Sequence, residues 1–142
     1  MAKMIFVNLP VADLATSEAF YEAIGCVKNP RFSDDRAIMM VWSDTITFML
    51  LTQDFYRSFT SREIGDTRAT SQGLICLSQD SRAEVDAITQ AALAAGGREH
   101  HPPEDSDFMY SHPFEDPDGH LFNPLWMDVD AALQAMPQCE AA

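Results

Sequence analysis

The sequence predicts an α+β fold of two βαβββ modules, whose sheets form a curved mixed sheet or a partly closed barrel with helices outside. Three observations carry this. The order strand, helix, three strands appears twice, offset by about 70 residues, which is an internal repeat. Each helix has its own start signal and its own glycine stop. A turn cluster, Asp116-Pro117-Asp118-Gly119-His120, leads into an apolar run that reads as the last strand, so Gly119 pins a hairpin there. The length fits one domain. Module one covers about residues 4–52, a connecting loop 53–69, module two about 70–128, and an extension 129–142.

Residues 4–9 are an apolar run closed by Pro10, a strand that a proline ends. Asp13 caps a helix over 14–24, with Leu14, Tyr21 and Ile24 on one side and Gly25 as its stop. Residues 26–32, 37–42 and 45–52 read as three strands, separated by the turn-type clusters Ser33-Asp34-Asp35 and Ser43-Asp44. Residues 53–68 show no clear period and read as a loop with room for a helical turn. Module two then repeats the order. Residues 72–78 are a strand, and Ser81-Arg82-Ala83-Glu84 matches a capping box. Val85, Ile88, Ala92 and Ala95 follow at helical spacing until Gly96-Gly97. Residues 98–101, 108–113 and 120–127 supply three more strands, and 129–136 a short apolar segment before Pro137.

With 46% hydrophobic and 22% charged residues, the composition is that of a soluble globular protein. A chain of this size buries about 68–70% of its unfolded surface, enough for a core without disulfides. Nine Lys and Arg against 22 Asp and Glu give a net charge of −13. Such a field repels phosphate backbones and anionic lipid, so neither nucleic acid nor a membrane is expected as a partner. No apolar run reaches the length of a membrane span or a signal peptide, which makes the cytoplasm the expected location. Cys26, Cys76 and Cys139 lack CxxC spacing and are expected to be reduced, mostly buried thiols.

Strand parity then nominates a pocket. In the last strand Leu121, Asn123 and Leu125 share one face, and Phe122, Pro124 and Trp126 the other. Asn8 and Asn123 are polar residues among apolar neighbours. They either orient a ligand or bond each other, backbone or water. Phe6, Met40, Trp42, Phe48, Leu50 and Phe122 line a cavity or simply fill it, and Cys76 is a small buried hydrophobe or a reactive thiol. His112 shares parity with Tyr110 and is the one candidate for proton transfer or hydrogen bonding in the pocket; its alternative is a strand histidine bonded to a carboxylate such as Glu115. The candidate ligand-binding set is therefore Phe6, Asn8, Trp42, Phe48, Cys76, Tyr110, His112 and Asn123. Phe55, Tyr56 and Phe59 in the connecting loop suggest a lid or a dimer contact. His100 and His101, beside two prolines, read as exposed turn residues, and His120 as structural.

Three features together resemble the vicinal oxygen chelate superfamily of glyoxalases, bleomycin- and fosfomycin-resistance proteins and extradiol dioxygenases. They are the opening from Val7 through Phe20-Tyr21 to Gly25, the doubled βαβββ order, and the turn at 116–120. Residues 114–120 with Trp126-Met127-Asp128 look most like its glyoxalase-like branch. The resemblance implies a homodimer that pairs modules across two chains. It also implies, where metal is bound, ligands on the first strand of each module and on the last strands. Those positions fall here on Phe6, Leu74 and Asn123, with no carboxylate or His in residues 45–52. A divalent ion needs hard or borderline oxygen and nitrogen donors. The expectation is a binder of small hydrophobic or aromatic molecules without the usual metal centre or other cofactor. The alternatives are a metal-dependent lyase, isomerase or dioxygenase with a non-standard site built from His112 and acidic residues, and an interaction module whose pocket is filled.

Overall fold

A computed structural model describes residues 2–136; Pro137 and Cys139 lie outside the described residues. Module one consists of β1 (Ile5–Val11), α1 (Leu14–Ala23), β2 (Val27–Asn29), β3 (Ala37–Val41) and β4 (Ile46–Thr52). The strands form a sheet in the order β1-β4-β3-β2, with β1 parallel to β4 and the other pairs antiparallel. Asp13 caps α1 by accepting from the Ala15 amide, and Gly25 leaves it at φ 114°. Pro10 does not end β1, contrary to the sequence expectation. An edge strand needs no ladder hydrogen bond from every residue, so a proline fits within it. The expected strand over 26–32 is shorter too, because Pro30 starts a 3₁₀ turn capped by Asn29.

Module two follows a short helix, α2 (Gln53–Arg57), and comprises β5 (Leu74–Ser78), α3 (Arg82–Ala94), β6 (Arg98–Glu99), β7 (Glu104–Asp105), β8 (Met109–Ser111), β9 (Phe114–Glu115) and β10 (Leu121–Met127); α4 (Val129–Ala135) comes last. Ser81 caps α3 by accepting from the Glu84 amide, while Glu84 reaches back to the Asp80 amide at 2.8 Å, one residue before the capping-box position. The single strand expected over 108–113 divides at His112-Pro113 into β8 and β9, both antiparallel to β10. Pro113 has no N–H to give the ladder. β5 runs parallel to β10, as β1 does to β4, so both modules share one topology. The class is α+β, with two curved mixed sheets and helices against one face of each.

The helix-bearing faces of both modules merge into one core. Phe20 and Tyr21 of α1 meet Phe114 and Phe122 of the second sheet, with ring centroids 5.9 Å apart in each pair. Phe48 of β4 lies 5.6 Å from both Tyr21 and Phe122. All five rings are fully buried. The modules meet through their helix-bearing faces, and the opposite faces are largely open, with the α2 segment over part of the first, around Leu51.

Gly97 shows how tight this junction is. A Cβ there would lie 2.6 Å from the Glu115 carbonyl oxygen and 2.8 Å from the Phe20 ring. Backbone cannot retreat as a flexible side chain can. Gly97→Ala is therefore expected to lower the unfolding free energy by about 1–3 kcal/mol, measured by urea denaturation, whereas Gly73→Ala, where nothing lies within 4 Å of the added carbon, costs no such clash.

Candidate functional site

One buried carboxylate fixes how the two modules meet. Asp116, 1% exposed, accepts from the Tyr21 hydroxyl at 2.7 Å and from the amides of Asp118 and His120 at 2.9 and 2.8 Å. Gly119, at φ 93°, closes the turn that this permits. Asp118 then accepts from the Ala12 amide at 2.8 Å, and His120 Nε2 lies 2.9 Å from the Pro10 carbonyl. The turn that the sequence marks as a hairpin signal is thus also the clamp between modules. Burial, partly offset by His120 and the hydrogen bonds, holds the Asp116 carboxyl above its ordinary range. Burial, and then Asp116, lifts the Tyr21 phenol well above its usual value.

The uncovered faces follow from strand register. On the first sheet Phe6 pairs with Thr47 and Asn8 with Met49; on the second, Leu74 pairs with Leu121 and Cys76 with Asn123. These side chains point away from the merged core. Phe6, near the start of β1, is 47% exposed, and Leu74, the first residue of β5, 54%. Cys76 is exposed, contrary to the expectation of a buried thiol, because its strand is an edge and its face has no cover. Cys26 behaves as expected: it is buried, and burial pushes its thiol up to about 12. Asn8 does not reach Asn123; its amide gives only a 3.4 Å bond to the Phe6 carbonyl. The side-chain oxygen of Asn123 is buried and has no hydrogen-bond partner.

The eight sequence-predicted residues do not come together. Phe6, Asn8, Cys76 and Asn123 lie on the open faces. Phe48 is core, and Trp42 packs against the core. Tyr110 and His112 turn toward α3: Tyr110 pairs with Trp126, on the opposite parity from Asn123, and gives its hydroxyl to Asp86 at 2.6 Å. That hydrogen bond raises the Tyr110 phenol to about 12. The His112 side chain is 6% exposed, with Nε2 at 2.7 Å from Glu99 and Nδ1 at 3.5 Å from Asp86. Its carboxylate partner is Glu99 rather than Glu115, which instead pairs with Arg98 and Leu121 on the second sheet. His112 is thus a strand histidine in contact with a carboxylate from β6.

The connecting segment forms the remaining concave surface. Thr67 Oγ1 donates to the Asp118 carbonyl, and Arg68 reaches the Pro117 carbonyl at 2.6 Å, so the segment is tied to the same turn. Beneath it lies a cavity of about 790 Å³, bounded by β1, the start of β5 and the residues after Gly119. A smaller hollow of about 440 Å³ is walled by Asn8, Leu51, Tyr56 and Phe59. Phe55 and Phe59 stack edge-on at 5.0 Å, and Arg36 covers Phe55. Sequence reasoning missed this cavity because the loop has no periodicity; Gly65 and Gly73, with Thr67, Thr70 and Ser71 between them, are its composition signal.

The family model of the Glyoxalase/Bleomycin resistance protein/Dioxygenase superfamily matches residues 3–123. The chain belongs to this superfamily. A hypothetical protein from S. aureus is 26% identical over 89% of this chain and 94% of its own, with a TM-score of 0.75. A fosfomycin resistance protein from Mesorhizobium loti (18% identity, 94% and 98% covered, TM-score 0.68) and a bleomycin resistance determinant of transposon Tn5 (21%, 89% and 99%, TM-score 0.61) share the fold. No curated protein matches the sequence.

Within this superfamily the donor set decides what the open faces can hold. The positions that the resemblance marks for metal carry Phe6, Leu74 and Asn123, all of which the register places on those faces. Two are hydrocarbon, and a neutral amide is a weak donor beside carboxylate or imidazole. Among the described residues no three His, Cys, Asp or Glu side chains converge to hold an ion. The residues do not fit the metal. No helix of the described residues is long and apolar enough to cross a membrane.

The Tyr21–Asp116 contact yields a test of the clamp. Tyr21→Phe strips one donor from a buried carboxylate and is expected to cost about 1–3 kcal/mol at neutral pH. Because the folded state raises the phenol pKa, this group's contribution is whole below pH 10, the ordinary phenol value, and is lost as pH rises through the folded value. Denaturation midpoints taken upward from pH 9 should therefore fall for the wild type, and Tyr21→Phe should flatten that fall.

Proposed function

We propose that the protein binds a small, largely apolar or aromatic molecule on its open faces, without a metal ion, as a cytoplasmic homodimer. The observation that carries the reading is the buried, unpartnered side-chain oxygen of Asn123 among Leu121, Leu125 and Cys76. A buried acceptor without a partner costs about 1–3 kcal/mol, a cost retained more readily when a ligand supplies the missing donor. Phe6 and Leu74 supply the apolar surface around it, and their exposure in a single chain supports the second copy that the family resemblance implies. One chain's first module facing its partner's second would turn two open faces into one trough.

The second reading, a lyase, isomerase or dioxygenase centred on His112, has less support. Both ring nitrogens of His112 face carboxylates, and its side chain sits under α3 on the far side of the sheet from Asn123. Those contacts support a role in bracing α3 against β6.

Asn123→Leu separates function from fold. Unfolding free energy should hold or rise, since an orphaned acceptor is replaced by a hydrocarbon of similar size, while binding of a ligand that donates to this oxygen should weaken by about tenfold or more. A loss of stability without a change in binding would make Asn123 structural. Elemental analysis with divalent-metal titration tests the chemistry, and a stoichiometric, tightly held ion would overturn the metal-free reading. Sedimentation velocity tests the assembly: Phe6→Asp should shift a dimer toward monomer while leaving the far-ultraviolet circular dichroism unchanged.

A further inference from the structure

α2 gives the first sheet's open face a wall. Thr52, the last residue of β4, caps this helix by accepting from the Phe55 amide at 3.2 Å. The chain therefore turns back at once over the strand it has just left, and α2 packs on β1 and β4. Leu51, on the open face in register with Pro10, is only 2% exposed beneath it. The three aromatic residues of the segment are not equivalent. Phe55 is held between Phe59 and the Arg36 guanidinium, which lies 4.5 Å over its ring. Tyr56, half-buried, packs on no other ring, and its hydroxyl makes no hydrogen bond among the described residues.

Tyr56 borders both the larger cavity and the smaller hollow, and the two also share Asn8 and Thr60. Hollows with three wall residues in common are adjoining compartments of one trough, and the Tyr56 ring stands at their boundary. Asn8 faces the same boundary with its amide nearly free. Its Nδ2 gives a 3.4 Å bond to the Phe6 carbonyl, and its Oδ1 has no partner among the described residues. A side-chain amide presents a donor and an acceptor side by side, and another carboxamide meets both at once. Leu51 and Phe59 supply the apolar wall of the smaller compartment. Against a net charge of −13 an uncharged ligand meets no repulsion, whereas a carboxylate does.

Resting on the open-face reading, we propose that Tyr56 determines which ligand that face accepts, and that the ligand class is an uncharged aromatic carboxamide. The Asn8 amide pairs with the carboxamide, the aromatic body lies against Leu51 and Phe59, and the Tyr56 hydroxyl adds a hydrogen bond. The Tyr56 ring sets the length of the body by closing one compartment off from the other.

The test is a titration of the full chain, its Leu methyl groups labelled for NMR, with benzamide, benzoate and 4-phenylbenzamide as probes. Benzamide should shift the Leu51 methyls saturably, with benzoate about tenfold weaker and Tyr56→Phe weakening benzamide about three- to tenfold. Asn8→Leu should abolish the preference for amide over acid. Tyr56→Ala joins the compartments, so the affinity ratio of the longer probe to benzamide should rise by about tenfold, a change in selectivity that mere loss of stability does not produce. Unchanged methyl spectra of the free variants, away from Leu51, confirm that they fold. Equal binding of amide and acid, indifference to Tyr56→Phe, or an unaltered ratio in Tyr56→Ala would each overturn the proposal. Saturable shifts at Leu74 and Leu125 without Leu51 would overturn it while supporting the open-face reading. Failure of that reading itself looks different: no probe shifts either face up to its solubility.

Discussion

The fold turns on the burial of a carboxylate at the boundary between its two halves. An ionised group taken out of water is expensive unless its lone pairs are filled. Asp116 fills them from three directions: its own turn, the residue just before the next strand, and Tyr21 on the helix of the other module. Because one of those donors belongs to module one, the second module's hairpin reaches low energy only when docked on the first. The next contacts, Asp118 to the start of α1 and His120 to β1, extend the same docking from one bond to a seam. The five-ring aromatic core lies along that seam, and the relative placement of the sheets, the exposure of their outer faces and the roof over the inter-module cavity all follow from it.

The seam also explains why the open faces are open. If each sheet spends its helix-bearing face on the other module, little among the described residues is left to cover the opposite face; over the first sheet the α2 segment covers part of it, around Leu51. Such a face would ordinarily turn polar over a soluble surface, with alternation along each strand. Here much of it stays apolar: Phe6, Met49, Leu74, Leu121 and Leu125 lie on it by register, beside Asn8, Thr47 and Ser78. Retaining hydrocarbon at positions free to become polar, and an amide at the one position where its oxygen is buried and unpartnered, breaks the local rule twice in one place. Violations of that kind concentrate where a surface meets something else.

Most of the fold was legible in the sequence, for local reasons. Asp13 and Ser81 cap their helices through side-chain oxygens, Gly25 takes the positive φ of its stop, and Gly119 closes its turn, all interactions spanning a few residues. Parity in β10 was legible as well: Leu121, Asn123 and Leu125 share a face. What could not be read was which face meets which. Periodicity identifies the two sides of a strand but not their partners, so Phe48 and Trp42, apolar at alternate positions, looked as fit for a pocket as for the core they pack into. His112 was misplaced for a related reason. The break at Pro113 splits its strand, and the carboxylate that holds it, Glu99, comes from the short β6 rather than from the neighbouring turn. The cavity was invisible because its roof is a loop whose course depends on Thr67 and Arg68 meeting carbonyls some fifty residues away.

Alternate residues of β10 therefore answer to different constraints. Phe122 and Pro124 are fully buried and pack the aromatic seam, where loss of volume opens a cavity and excess volume strains a close-packed interior. Leu121, Asn123 and Leu125, one step out of phase, face the other way and are only partly buried. A strand so divided lets the binding face change chemistry while the fold stays fixed, since a substitution at 123 alters what the face offers without disturbing what 122 and 124 hold. That physical separation leaves positions 6, 74 and 123 outside the clamp: the contacts that join the modules come from Asp116 and the rings beside it.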